Sequence, residues 1–493
     1  MKNNELTQNK PKNVQNNFWQ VKENGRISIQ ITELLEHLKR LGVFRFDLKE
    51  GFAFVRIEGN IVEYVNIVKI QDVFFDSFTR ARFEDNRTTQ KKVLEALYSQ
   101  IDKLFTNNIL ARLRNETPPE FIKDTKTQAF LFFKNTCVEV TADKVTCKPY
   151  ELLQGYVWKN NLINRDFEYL FKDFSQVEQI KSNDFAHFVW LVAGQDTERF
   201  LQLCCIIGYA LHTYEFVKRK AICFTDSSLS EGINNGRTGK TLLAKALGKI
   251  RAYTEIAGKD FRPDNKHKYQ TCSLDTQIVC LNDLKSPFNF EYLYNDITEG
   301  ISVEKKNQTP FTIQPKIIIT TNQPIITKGA SDTDRIIEFE FSDYFSPEQT
   351  PQMVFGKYFF EEWDKKEWND FDNFIIWSLR VYLKNGLVEP TNTNLETRKF
   401  IKQTSRDFYE WTLTKKEEFY RLATDPSPDG QPAYLYRDKL KAEFEEFAEL
   451  DDREKPSSKK FKIWLDTFFK YAKIRAEEAR EKGKRGRFCL LPF

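Results

Sequence analysis

The spacing of apolar and polar positions divides the chain into a tail and four structured stretches. Residues 1–28 are rich in Asn, Gln and Lys, hold few apolar side chains, and are expected to be disordered. Helical spacing predicts a helix over residues 31–41. Strict alternation over 43–66 predicts two or three strands, with a turn at Glu58-Gly59-Asn60. Val93, Leu97, Ile101 and Leu104 make one stripe of an amphipathic helix over 88–105, and 130–147 reads as a hairpin turning at Ala142-Asp143. Residues 29–180 are therefore an α+β region. Its lone acid in Phe46-Asp47-Leu48 reads as core-edge packing, and the region shows no chemistry of its own.

The pattern then changes. Residues 184–214 are strongly apolar and helical, and they lead into a short apolar run at 221–224, the signature of a buried parallel strand. A polar loop follows, then Gly239-Lys240-Thr241, then a helix through Leu242, Leu243, Ala246 and Leu247. Further apolar strands are predicted at 277–281, 315–322 and from 336, with a hairpin over 301–313 and aromatic helices over 347–387. This places an α/β core at 181–388. Turn-rich residues at 389–394 and 424–432 bound a helical segment and linker, 389–432, before a last domain at 433–493. In that domain Ser457 reads as a helix N-cap. Phe461, Trp464, Leu465, Phe468 and Phe469 form one apolar face, and 488–491 reads as a final strand.

Composition changes this picture in three places. Of 493 residues, 40% are hydrophobic, which makes the chain globular, with ample length for several cores. Net charge is only +4, so contact with nucleic acid must come from local patches. One such patch exists. Residues 438–454 carry eight acids against three bases, whereas 455–487 carry twelve bases against four acids. Helix plus a basic turn at Lys484, Arg485 and Arg487 reads either as a winged-helix-like DNA-binding domain or as a solvated charged face. The eight cysteines form no C-x-x-C pair and there are four histidines, so no zinc site is expected. No run of 18 apolar residues and no signal-like start appears, and a cytoplasmic protein without a membrane partner is expected.

Strand, flexible loop, Gly-Lys-Thr and helix is the order of a P-loop. Backbone N–H groups of Gly236, Arg237, Thr238 and Gly239 would wrap the phosphates of ATP, and the helix N-terminus adds its dipole. Lys240 would reach the β- and γ-phosphates, and Thr241 would ligate Mg2+. The pattern wants a glycine where Asn234 stands, and Asn is the residue after Gly that best tolerates left-handed angles. The strand at 277–281 ends in Asn282-Asp283. Asp283 is the candidate carboxylate for metal or attacking water, or else the end of a turn. Asn322 ends the next strand, as a γ-phosphate sensor or a turn residue. Lys305 and Lys306 sit near the hairpin tip, gripping DNA or simply solvated. Arg335 precedes a strand, as an arginine finger or a structural ion-pair residue.

P-loop, acid-ended strand, basic hairpin, Asn-ended strand, then Arg before a strand: this order resembles the superfamily 3 helicases. The nearest are the phage and plasmid primase-helicases related to the poxvirus type. The resemblance is strongest over 197–344, and Ile297-Thr298-Glu299-Gly300-Ile301 with Lys305-Lys306 is similar to the family's DNA-contacting motif. It implies an AAA+-like P-loop NTPase core in a homo-oligomeric, usually hexameric ring, with ATP between subunits and single- and double-stranded DNA as partners. Lys240, Thr241, Asp283, Asn322 and, in trans, Arg335 would carry hydrolysis. Asn234 and Asn282 depart from the family pattern. A replication initiator that uses nucleotide only to assemble, or a DNA-binding ATPase switch, are the alternatives.

Overall fold

Five strands between residues 221 and 341 assemble into one parallel sheet. In chain order the strands are Ala221–Asp226, Tyr253–Ala257, Ile278–Asn282, Lys316–Thr320 and Ile336–Phe341. Across the sheet they lie second, third, fourth, first, fifth, every pair parallel. A parallel sheet is covered on both faces, which is why its inner strands, such as Ile278–Asn282 and Lys316–Thr320, are apolar along most of their length. Every residue of the first and fifth strands is buried. One face packs Ile222, Phe224, Ile318 and Phe339 against helices Asp184–Val192, Thr197–Leu211, Lys240–Leu247 and Lys365–Asn385. The other packs Val279, Leu281, Ile317 and Ile319 against Tyr269, Phe290, Leu293, Ile301 and Val303.

This computed structural model describes residues 18–490, apart from 48–50, 81–86, 115–119, 216–217, 230–236, 286–287, 307–309, 327–329, 425–433 and 482–483. Among the described residues, no helix is long and apolar enough to cross a membrane.

The N-terminal region corrects three expectations. Order begins before residue 29. Trp19–Val21 pairs with Ile27–Ile29, and Phe18 is buried against Phe74 and Phe78. These strands are three residues long, too short for alternation to show. The expected hairpin over 130–147 is a three-stranded meander, Gln128–Phe133, Cys137–Thr141 and Val145–Lys148. Its second turn falls at Ala142-Asp143 as expected, and its first, at Lys134-Asn135, lacks the usual turn residues Gly and Pro. The helix expected over 88–105 divides into Arg87–Tyr98 and Ile101–Leu104. Of the two or three strands expected over 43–66, three are present, Val43–Asp47, Phe52–Glu58 and Ile61–Tyr64.

The apolar helical stretch over 184–214 is two helices. They break at Gly194 and Gln195, which take φ of 80° and 60°, and Asp196 caps the second by accepting from the Arg199 N–H. Beyond the sheet, residues 391–394 form a tethered connection. Thr391 donates to Gln202, and Asn392 and Asn394 bridge the Ile336–Phe341 strand.

The C-terminal unit runs helix Arg406–Thr424, strand Tyr434–Tyr436, helices Arg437–Phe447 and Ser458–Tyr471, and strands Ala476–Glu481 and Lys484–Leu490. The last strand lies between the other two, antiparallel to both. Ser457 caps its helix through the Lys460 N–H at 3.2 Å, and the five apolar residues read from the sequence all point into the core. That core also takes Phe400, Phe408, Trp411 and Phe419, from helices that precede the linker. Most of the 424–432 linker lies outside the described residues.

Candidate active site

Strands of a parallel sheet all end on one side, and that side is where an α/β fold leaves room for a ligand. Here the carboxyl ends of the strands open on a cleft of about 1170 Å³, lined by Arg237, Thr238, Gly239, Lys240, Thr241, Glu255, Asn282, Asp283, Thr320 and Asn322. Residues drawn from four separate stretches of sequence thus meet in one place.

The loop enters the helix through left-handed backbone. Arg237 has φ 76° and Gly239, the N-cap of Lys240–Leu247, has φ 98°. A Cβ on Gly239 would stand 2.8 Å from the Phe188 ring, so strain and space both require glycine there. Gly236, with Gly232 and Asn234, lies outside the described residues.

Lys240 is buried, and its ammonium meets the carboxylate of Asp226, the last residue of the first strand, at 2.5 Å. The Thr238 hydroxyl donates to the same Oδ1 at 2.6 Å. Burial pushes the Lys240 pKa below its ordinary value, and Asp226 opposes that shift. The second oxygen of Asp226 is buried without a hydrogen-bond partner. Asp226 was not anticipated. Its signal was a carboxylate closing an otherwise apolar strand.

Beside the lysine, the Thr241 hydroxyl donates to Asn282 Oδ1 at 3.0 Å, and Thr320 donates to the same oxygen at 2.8 Å. The Asn282 amide donates to Glu255 Oε1 at 2.9 Å. Glu255 is a second unforeseen residue, delivered by the edge strand Tyr253–Ala257. Asp283 follows at φ 58°, held by its N–H to Thr320 Oγ1 at 2.8 Å, with its carboxylate exposed in the cleft. Asn322 lines the same cleft two residues past the fourth strand.

The donor set suits a nucleotide with Mg2+. Arg237, Lys240, Lys245 and Lys249 give the cleft positive walls. Thr241 and Asp283 offer two oxygen ligands, the number that Mg2+ takes from protein when phosphates and water supply the rest. Among the described residues, no group of three or more His, Cys, Asp or Glu could hold a metal by itself.

Arg335 is not in this cleft. Its carbonyl accepts from the Ala221 N–H, at the start of the strand whose end carries Asp226. Six residues of strand separate the two, on the order of 17 Å. Its guanidinium donates to the Ser331 carbonyl at 2.9 Å and lies over the Tyr294 ring at 4.7 Å. Ile301–Val303 and Phe311–Ile313 form the expected hairpin. Lys305 leaves it half-buried, 6.0 Å from the Phe311 ring, and Lys306 is exposed, while 307–309 lie outside the described residues. Lys484, Arg485 and Arg487 lie on the strand Lys484–Leu490.

No protein-family model matches the chain, and no curated protein matches it. Among solved structures it is similar to the A form apo structure of the NrS-1 C terminal region, at 13% identity over 93% of this chain and 98% of that one, with a TM-score of 0.43. A second apo structure of the NrS-1 C terminal region matches at 14% identity over the same shares, with a TM-score of 0.39. Likeness at this level assigns no family to the chain.

Proposed function

We propose that the chain is an ATP-dependent DNA helicase of superfamily 3 type, serving replication of a phage or mobile element inside the cell. The observation that carries this reading is the convergence of Lys240, Thr241, Asp283 and Asn322 on one cleft at the carboxyl edge of a parallel sheet. The strand order, with the Asn322 strand between the P-loop strand and the Asp283 strand, supports an AAA+-like P-loop core. The helix–strand–helix–helix–strand–strand order of residues 406–490 supports a winged-helix-like DNA-binding domain.

In this reading Lys240 exchanges the Asp226 carboxylate for phosphate oxygens of ATP, one anionic partner for another. Asp283 orients the attacking water and takes its proton, and Asn322 hydrogen-bonds the γ-phosphate. Thr241 and Asp283 would hold Mg2+, which when bound neutralises charge on the phosphate oxygens. Arg335 faces away from its own cleft, so it serves the ATP of a neighbouring subunit in a ring. Lys305 and Lys306 grip single-stranded DNA in the channel, and Lys484, Arg485 and Arg487 contact duplex phosphates.

A strand-displacement assay on a fork, with ATPase measured with and without single-stranded DNA, tests this reading. Unwinding that requires ATP is the expected result. One observation favours a second reading: Asn282, not an acid, receives the Thr241 hydroxyl. A nucleotide-binding initiator or a DNA-binding switch would bind ATP and DNA without displacing a strand.

A further inference from the structure

Between the sheet and the C-terminal unit lies the helix Leu395–Gln403. It is fastened to both. On the sheet side, Arg398 is buried and forks between two strand ends. One guanidinium nitrogen donates to the Asp226 carbonyl and to Thr225 Oγ1, the latter at 3.2 Å, and the other donates to the Asn322 carbonyl at 2.6 Å. The buried carboxylate of Glu340 faces it at 3.8 Å. One side chain thus ties the residue that holds Lys240 to the residue that senses the γ-phosphate.

On the other side, the same helix meets the end of Ser458–Tyr471. Thr397 Oγ1 and Tyr471 Oη lie 2.9 Å apart, and the Phe400 and Tyr471 rings stack at 4.7 Å. Phe400 belongs to the core of the C-terminal unit. Arg398 and Tyr471 are therefore joined through one turn of helix. A planar guanidinium suits this place because it holds several oxygens in fixed directions, which an ammonium cannot.

We infer that Arg398 is a positioning residue that couples duplex DNA on the C-terminal unit to the ATP cleft. This rests on the proposed function, both on the cleft's being an ATP site and on the C-terminal unit's binding duplex DNA. Duplex DNA that shifts the Ser458–Tyr471 helix moves Thr397 and Phe400. Arg398 carries that shift to the backbone of Asp226 and Asn322 together. Coupling between two binding sites is reciprocal, so a non-hydrolysable ATP analogue must tighten duplex binding by the factor with which duplex tightens the analogue.

The test uses the full chain, a labelled duplex and a fluorescent non-hydrolysable ATP analogue. Wild type is expected to show equal reciprocal factors within the usual range of about 5–150-fold. Arg398→Ala should bring both factors to one while duplex affinity without nucleotide stays at the wild-type value. Arg398→Lys, which keeps the charge and loses the fork, should give an intermediate factor. Tyr471→Ala cuts the link from the far end and leaves the cleft intact. It should lose the same coupling, keep nucleotide affinity, and lose nothing more when combined with Arg398→Ala. If Arg398→Ala does not fold, Tyr471→Ala decides alone. Wild-type coupling in either variant, or no coupling in wild type, overturns the inference. If Lys240→Ala binds the analogue as wild type does, the ATP-site reading fails instead.

Discussion

The two ends of the parallel sheet are made by the same five strands and are finished in different ways. At the amino end, a buried carboxylate is matched by several donors. Asp124, from the N-terminal region, accepts from the Phe130 N–H, from the Thr213 N–H and hydroxyl, and from Arg251 at 3.1 Å. Lys316 lies over the Tyr209 ring at 4.0 Å, its pKa pushed down to about 7 chiefly by burial. At the carboxyl end, Arg237, Gly239 and Asp283 hold left-handed backbone, and carboxylates and amides face open space. Satisfied polar groups mark a joint between parts of the fold. Strained backbone with exposed polar groups marks a place kept for something else.

The largest expected effect breaks the comparison at Arg335, which the proposed function gives a chemical role although it lies at the end of the sheet away from its own cleft. Arg335→Ala should lower ATP turnover by about 10³–10⁵-fold, the contribution of an arginine finger. Mixing Arg335→Ala with Lys240→Ala subunits should restore part of the rate, since some interfaces then pair an intact lysine with an intact arginine. No recovery in rings shown to be mixed would place the arginine outside the chemistry.

Asp283→Asn comes next. Asn accepts the left-handed conformation at φ 58°, so the change removes charge and spares backbone. Turnover should fall by about 10²–10⁴-fold while ATP binding, read by fluorescence titration, persists. A stability measurement probes the opposite end. Asp124→Ala leaves Arg251 buried without its carboxylate and should cost about 3–5 kcal/mol in a denaturant titration. A loss near zero would mean that the joint is not built on this pair.

Lys305→Ala with Lys306→Ala should keep basal ATPase and lose both its stimulation by single-stranded DNA and strand displacement. The salt slope of binding should drop by at most about 0.7 per lost contact. Unwinding at the wild-type rate would make the hairpin an ordinary turn. The smallest effect concerns Asn282→Asp. The superfamily 3 pattern that the chain resembles has an acid at this position and would imply equal or higher activity. The structure sets a new carboxylate against Glu255 at the present 2.9 Å contact, so a modest loss, relieved by Glu255→Gln, is expected instead.

These residues show how far the sequence could be read. The buried strand at 221, the Gly-Lys-Thr turn, the strands leading to Asp283 and Asn322, the hairpin and the capped helix at 458 were all legible, because each is local in sequence. Asp226, Glu255 and Arg398 were not. Each acquires its role from a partner between 14 and 172 residues away. The strand that carries Glu255 lies at the sheet edge and is only half-buried, so its apolar signal is weak. The helix at 406–424 was read apart from the C-terminal unit because a turn-rich stretch follows it, although Phe408 and Trp411 are central to that core.

The proposed function depends on Lys240 meeting phosphate in place of Asp226. ATP hydrolysis by the full chain, with and without single-stranded DNA, should be compared with that of Lys240→Ala. The account predicts DNA-stimulated turnover in the wild type and a fall of at least about 10²–10³-fold in the variant, the loss expected for one charge-stabilising donor. Equal rates in the two proteins would contradict it.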